Sequence, residues 1–135
     1  MNLTSTSLKR LEGVHPDLVR VIKRAAADWD DKELTWIITC GVRTLAEQKK
    51  MVAKGVSKTF RSRHIPGPSG LSHAVDVAIL LDGKLTWDWP PFHKVAAAIK
   101  EAATAEAVTV EWGGDWKTFK DGPHFQLPWG KKYPG

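Results

Sequence analysis

The chain has 135 residues and a mass of 15.0 kDa, with 42% hydrophobic and 26% charged residues; this is the balance of one folded domain and excludes a disordered or fibrous chain. No apolar run approaches the ~20 residues that span a bilayer, and Met1–Ser7 lacks the charged-then-apolar pattern of a signal peptide, so a cytoplasmic product is expected. A net charge of +5 and a pI near 9.4 imply attraction to polyanions without choosing among nucleic acid, an anionic cell envelope and acidic lipid, and a single cysteine, Cys40, excludes an internal disulfide.

Leu8 to Leu11 reads as a helical turn broken at Gly13. The first substantial helix is predicted over 15 to 30, because Pro16 suits the first helical position and Leu18, Ile22, Ala25, Ala26 and Trp29 recur at helical spacing. Leu34–Cys40 is rich in β-branched and aromatic residues and reads as a buried strand ending at Gly41, with Cys40 as a buried, inert thiol. Thr44 and Glu47 have the spacing of a capping box and Gly55 supplies a stop, so a helix follows over about 45 to 54. From Val56 to Ser72 the chain carries Pro66, Gly67, Pro68, Ser69 and Gly70 and holds no regular structure. Loops this long inside a compact domain are often functional.

Ala74–Leu81 reads as a central strand, and Asp82-Gly83 is a two-residue hairpin signal leading into Lys84–Trp87. Asp88 to Pro91 makes a helix entry, and Phe92, Val95, Ala96, Ile99, Ala102 and Ala103 line one side of a helix running to about Ala105. Val108–Trp112 is a short strand, Gly113-Gly114 forces a turn, and His124–Leu127 returns as another strand before a Pro/Gly-rich tail. With no internal repeat and no linker, the expectation is one α+β domain, residues 1–135, built on a central antiparallel sheet flanked by helices.

Two runs carry the chemistry: Ser62 to Asp76, which holds His64 and His73, and Asp121-Gly122-Pro123-His124. Asp76 sits in the apolar strand Ala74-Val75-Asp76-Val77-Ala78, where an unpaired carboxylate would cost several kcal/mol, so a metal ion or an arginine should meet it. Catalytic zinc takes three protein ligands, histidine nitrogens and carboxylate oxygens, and keeps a fourth position open. Asp76 and His124 are the first two candidates. For the third, His73 is three residues from Asp76 and so points to the opposite face if the strand covers both, whereas His64 is free to fold over. Asp121 is either a general base beside the metal or a turn-former before Gly122-Pro123. His15 and His93 read as surface or packing residues.

The combination Arg43-Thr44 with Gln48, Ser62-Arg63-His64 with Ala74-Val75-Asp76, Glu111–Trp116 and Asp121–Phe125 resembles the phage-type L-alanyl-D-glutamate peptidases. That family belongs to the zinc D-Ala-D-Ala carboxypeptidase superfamily with the Hedgehog-like fold, and the likeness covers about residues 34 to 127. The resemblance implies one Zn2+ per chain held by His64, Asp76 and His124, with Asp121 as the catalytic base. It implies further that Arg43 stabilises an oxyanion or binds a substrate carboxylate, and that Ser62 and Gln48 lie near the substrate, although a helix-surface amide is an equally good account of Gln48. Trp112 and Trp116 flank the Gly113-Gly114 turn and could wall the active site; Glu111 could orient a metal histidine or be an ordinary strand carboxylate.

One departure stands out. The family motif Ser-x-His-x-x-Gly-x-Ala-x-Asp separates His from Asp by about seven positions, whereas His64 and Asp76 are twelve apart and Ser72 replaces the glycine. The extra residues are most simply Pro66–Gly70, a lengthened loop that leaves both ligands in place, with His73 as the alternative ligand.

The function implied is that of a bacteriolytic endolysin: a monomeric zinc peptidase cutting the L-Ala–D-Glu bond of the peptidoglycan stem, without nucleic acid as a partner. It would wait in the host cytoplasm until a membrane pore admits it to the wall, its positive charge drawing it to the anionic envelope. A D-Ala-D-Ala or related carboxypeptidase on the same scaffold is the nearer alternative, and a non-catalytic, zinc-stabilised wall-binding module the more distant one.

Overall fold

The fold is known from a computed structural model that describes residues 1–55 and 62–134; the part of the predicted loop at 56–61 lies outside the described residues. Thr4 opens helix α1 (Ser5–Arg10), its hydroxyl accepting the Ser7 N–H at 3.0 Å. Helix α2 (Pro16–Asp28) buries Leu18, Val21, Ile22, Ala25 and Ala26. It stops short of the predicted end because Trp29 turns to extended backbone, where its indole donates to the carbonyls of Asp31 and Leu34. Helix α3 (Leu45–Ala53) carries both bonds of the capping box, Glu47 N–H to Thr44 Oγ1 and Thr44 N–H to Glu47 Oε1, each 3.1 Å. Helix α4 (Trp89–Ala105) buries the apolar stripe read from the sequence, Phe92 to Ala103, and packs on α2.

The strands are β1 (Leu34–Cys40), β2 (Ala74–Leu81), β3 (Lys84–Thr86), β4 (Glu111–Trp112) and β5 (His124–Gln126), all paired antiparallel. β2 is central: β1 runs along one edge, while the other edge pairs with β5 at its start and β3 at its end, and β4 lies outside β5. The Asp82-Gly83 hairpin forms as expected, both residues having positive φ. β4 is shorter than the predicted 108–112 strand, because its partner among the described residues, β5, is three residues long and the ladder stops at Glu111↔Gln126.

Side-chain alternation divides this sheet into two faces with different roles. Val75, Val77 and Ile79 of β2, with Phe125 of β5 and Trp112 of β4, join the helices in the core. Asp76, His124, Gln126 and Glu111 therefore share the opposite face, on which a cleft opens. In β1 the core positions are Leu34, Trp36 and Ile38, and a bulge between Ile38 and Cys40 breaks the alternation, setting Cys40 opposite Asp76 on the face of the site. No helix among the described residues is long and apolar enough to cross a membrane.

Candidate active site

Asp76 and His124 face each other across the β2–β5 ladder, and the His124 Nδ1 lies 3.2 Å from Asp76 Oδ1. His64 comes from the loop before β2, and its Nε2 lies 3.2 Å from the same oxygen. The extra loop residues leave that placement intact, because the chain is pinned on both sides of them. His73 N–H donates to Arg63 O at 2.7 Å and Gly67 N–H to Leu71 O at 3.1 Å, so the insertion closes on itself outside the site. The other histidine, His73, points away from Asp76: it is buried beside His15 and Tyr133, 5.6 Å and 6.1 Å between ring centroids. Strand β2 begins at Ala74, yet the extended chain carries the alternation one residue further back.

The hydrogen bonds behind the two histidines decide what they offer to Asp76. His64 Nδ1 is 2.8 Å from the Gly41 carbonyl, which can only accept, so Nδ1 carries the proton and Nε2 of the neutral ring is a bare lone pair. His124 Nε2 is 2.7 Å from Gln126 Oε1, and Nδ1 is the bare nitrogen there. Both lone pairs face a carboxylate, and the buried His64 Nε2 has no hydrogen-bond donor among the described residues. Three acceptors converging on one point call for a cation. A proton can serve: burial alone would lower the His64 value, but the adjoining Asp76 carboxylate and Cys40 raise it to about 10. Burial works to raise Asp76, but contacts with His124 and His64 hold it well below the usual carboxylate range. Two imidazoles and a carboxylate are equally the donor set of a metal site. Asp76, Asp121 and His124 could hold an ion, as could Cys40, His64 and Asp76.

Arg43 contributes the fixed charge. One of its nitrogens donates to Asp76 Oδ2 at 3.3 Å and the other to Gln48 Oε1 at 2.8 Å. Gln48 is 1% exposed on α3, so it holds the guanidinium in place from within the protein and is not a helix-surface amide. Cys40, expected as a buried inert thiol, is half-buried beside this centre, 3.7 Å from His64 Nδ1 and 3.6 Å from an Arg43 nitrogen. The β1 bulge is the reason. Ser62 Oγ accepts the His64 N–H at 3.2 Å and so shapes the turn that delivers the ring.

Asp121 is positioned by the Gly113-Gly114 turn. Its N–H donates to Gly113 O at 3.1 Å, and its own carbonyl accepts His124 N–H at 3.2 Å, so base candidate and ring are tied by one turn of chain. Burial, then the Asp76 charge, raise its carboxyl above the ordinary value, which favours a group that takes and returns a proton. Arg43, Gln48, Ser62, His64, Asp76, Asp121 and His124 open on one cleft of about 1250 Å3, whose wall also includes Trp116, Trp87 and Phe119. Trp116 lies 5.2 Å from the His124 ring. Trp112, in contrast, is 3% exposed, stacks on Phe125 and donates its indole N–H to Gly122 O; it supports the cleft from below and does not wall it. His15 caps α2, and His93 packs its ring on Trp112. Gln126 was not singled out in the sequence, although its place two residues beyond His124 on a strand puts it on the same face.

Comparison with known proteins places the chain in a family. The sequence profile of the family described as phage L-alanyl-D-glutamate peptidase matches residues 1–127. The L-alanyl-D-glutamate peptidase of Listeria phage A118 is 33% identical over 112 residues, 82% of this chain and 37% of the relative. The peptidoglycan L-alanyl-D-glutamate endopeptidase CwlK of Bacillus subtilis (strain 168) is 30% identical over 114 residues, 78% of this chain and 66% of the relative. The chain thus spans little more than a third of the phage relative's length. The crystal structure of the Serratia marcescens L-Ala D-Glu endopeptidase ChiX superposes with a TM-score of 0.80 at 42% identity, covering 95% of this chain and 90% of that one. The chain belongs to the phage L-alanyl-D-glutamate peptidase family.

Proposed function

We propose that the chain is a zinc-dependent endopeptidase that hydrolyses the L-Ala–D-Glu bond of the peptidoglycan stem and acts as an endolysin. The observation that carries this reading is the convergence of His64 Nε2 and His124 Nδ1, both lone-pair donors, on Asp76 Oδ1 at 3.2 Å, with Asp121 in the same cleft. His64, Asp76 and His124 would hold the ion. Zinc held by them would supply Lewis-acid chemistry, the polarisation of a scissile carbonyl and the acidification of water near neutral pH.

The chain's own residues supply the rest. Asp121 takes the proton of the attacking water and returns it to the leaving amine nitrogen as the amide C–N bond breaks; its raised affinity for protons suits both halves of that transfer. Arg43, held by Gln48 and Asp76, keeps guanidinium charge at the cleft for a substrate carboxylate or the developing oxyanion. Ser62 and Trp116 line the cleft, where they would border the stem peptide. The +5 charge favours the anionic envelope, where the enzyme would act as a monomer once released at lysis.

The test is mass spectrometry of purified peptidoglycan digested with and without chelator. New N-terminal D-Glu, lost on chelation, supports the reading. Release of terminal D-Ala would assign a carboxypeptidase instead, and unchanged digestion by Asp121→Ala with zinc retained would remove the base from its role.

A further inference from the structure

We propose that Glu111 and Gln126 form a side-chain relay that sets the tautomer of His124 and so reserves Nδ1 for the metal. The inference rests on the zinc reading above and extends it to two cleft residues outside the proposed ligand set. Gln126 is thus a positioning residue, and Glu111 positions Gln126.

The β4–β5 register sets Glu111 opposite Gln126, and Gln126 follows His124 by two residues on the same face of β5. Glu111 Oε2 accepts from Gln126 Nε2 at 3.2 Å, and Gln126 Oε1 lies 2.7 Å from His124 Nε2. An ionised carboxylate only accepts, so it draws the amide NH2 toward itself and turns the amide oxygen toward the ring. That oxygen only accepts as well, so the ring proton is held on Nε2 and Nδ1 is left as a lone pair facing Asp76.

The reversed amide shows what the relay prevents. It would set the Gln126 oxygen against the Glu111 carboxylate, two acceptors face to face, and offer an NH2 donor to His124 Nε2. The ring proton would then move to Nδ1, where Asp76 accepts it and the site closes to a cation. Gln126 and His124 are 5% and 6% exposed, so water cannot readily substitute for either partner. His64 needs no such device, because the Gly41 backbone carbonyl fixes its tautomer. His124 is the ligand whose readiness depends on replaceable side chains.

The test measures zinc affinity by competition titration in wild type, Gln126→Leu and the exchanged pair Glu111→Gln/Gln126→Glu. Loss of such outer partners weakens metal binding by about 10- to 100-fold, and that loss is expected for Gln126→Leu. The exchanged pair rebuilds the relay with the carboxylate next to the ring and the amide donating to it, so it should bind zinc within a few-fold of wild type. Long-range 1H–15N NMR of the zinc-loaded wild type should show a slowly exchanging proton on His124 Nε2 that exchanges faster in Gln126→Leu. Equal zinc affinity in all three proteins, or a proton on Nδ1 of wild-type His124, would overturn the relay while leaving the metal site standing. Failure of the wild type itself to bind zinc would overturn the metal reading and the relay with it. Should Gln126→Leu not fold, a weakly binding exchanged pair that folds would also refute the proposal.

Discussion

Replacing Gly113 by alanine probes how Asp121, the proposed base, is held. A Cβ at Gly113 would stand 2.3 Å from the Asp121 carbonyl oxygen and 3.0 Å from Asp121 Cβ. Ordinary contact begins near 3.4 Å, so Asp121 or the Gly113-Gly114 turn must retreat by about 1 Å. A misplacement of about 1 Å of a catalytic group can cost ~100-fold in rate, or about 2.7 kcal/mol of transition-state stabilisation. Gly113→Ala should therefore lose about two orders of magnitude in kcat on a stem peptide, with the overlap also costing about 1–3 kcal/mol of stability. Gly70→Ala is the control: φ is +81° and nothing lies within 4 Å, so it should lose about 1 kcal/mol of stability with kcat unchanged. The assay is steady-state hydrolysis beside zinc content and thermal unfolding. Wild-type kcat in Gly113→Ala would refute the claim that this close approach positions the base, and a kcat loss matched by zinc loss would show that the ligands moved instead.

His64→Ala should empty the metal site, whereas His73→Ala should keep zinc and lose only stability, read as metal content after dialysis. Arg63→Ala should lower the melting temperature by roughly 10 °C, since Arg63 donates to the carbonyls of Leu127, Pro128 and Tyr133 and each carbonyl left without its donor costs about 1 kcal/mol or more. Chelated protein should be most stable between about pH 4 and 6.5. The His64 value is raised to about 10, so its contribution is whole below 6.5 and fades as pH rises through 10; Asp76 is lowered, so its contribution is whole above 3.8 and lost on acidification. A chelated protein whose melting temperature stays flat from pH 6.5 to 10 would contradict the coupling.

Much of the architecture was legible in local pattern. The Thr44/Glu47 capping box, the Asp82-Gly83 turn and the Phe92–Ala103 stripe are short-range signals, and each formed where the sequence placed it. The end of α2 was less legible, because Trp29 leaves the helix to donate to the carbonyls of Asp31 and Leu34, a local bond that apolar periodicity does not signal. β4 was over-read for a related reason: residues 108–110 have strand composition, but a strand is as long as its partner permits, and β5 is short.

By itself, the sequence determined the candidate donors and the face argument. A carboxylate in an apolar strand demanded a cation, and the odd spacing between His73 and Asp76 directed attention to His64. Only the tertiary structure decided how those groups meet. The bulge in β1 brings Cys40 to the centre, the closed loop at Pro66–Gly70 absorbs the insertion, and the β4–β5 register sets Glu111 behind Gln126. The bulge and the register depend on pairings between residues far apart in the chain, which local periodicity does not encode.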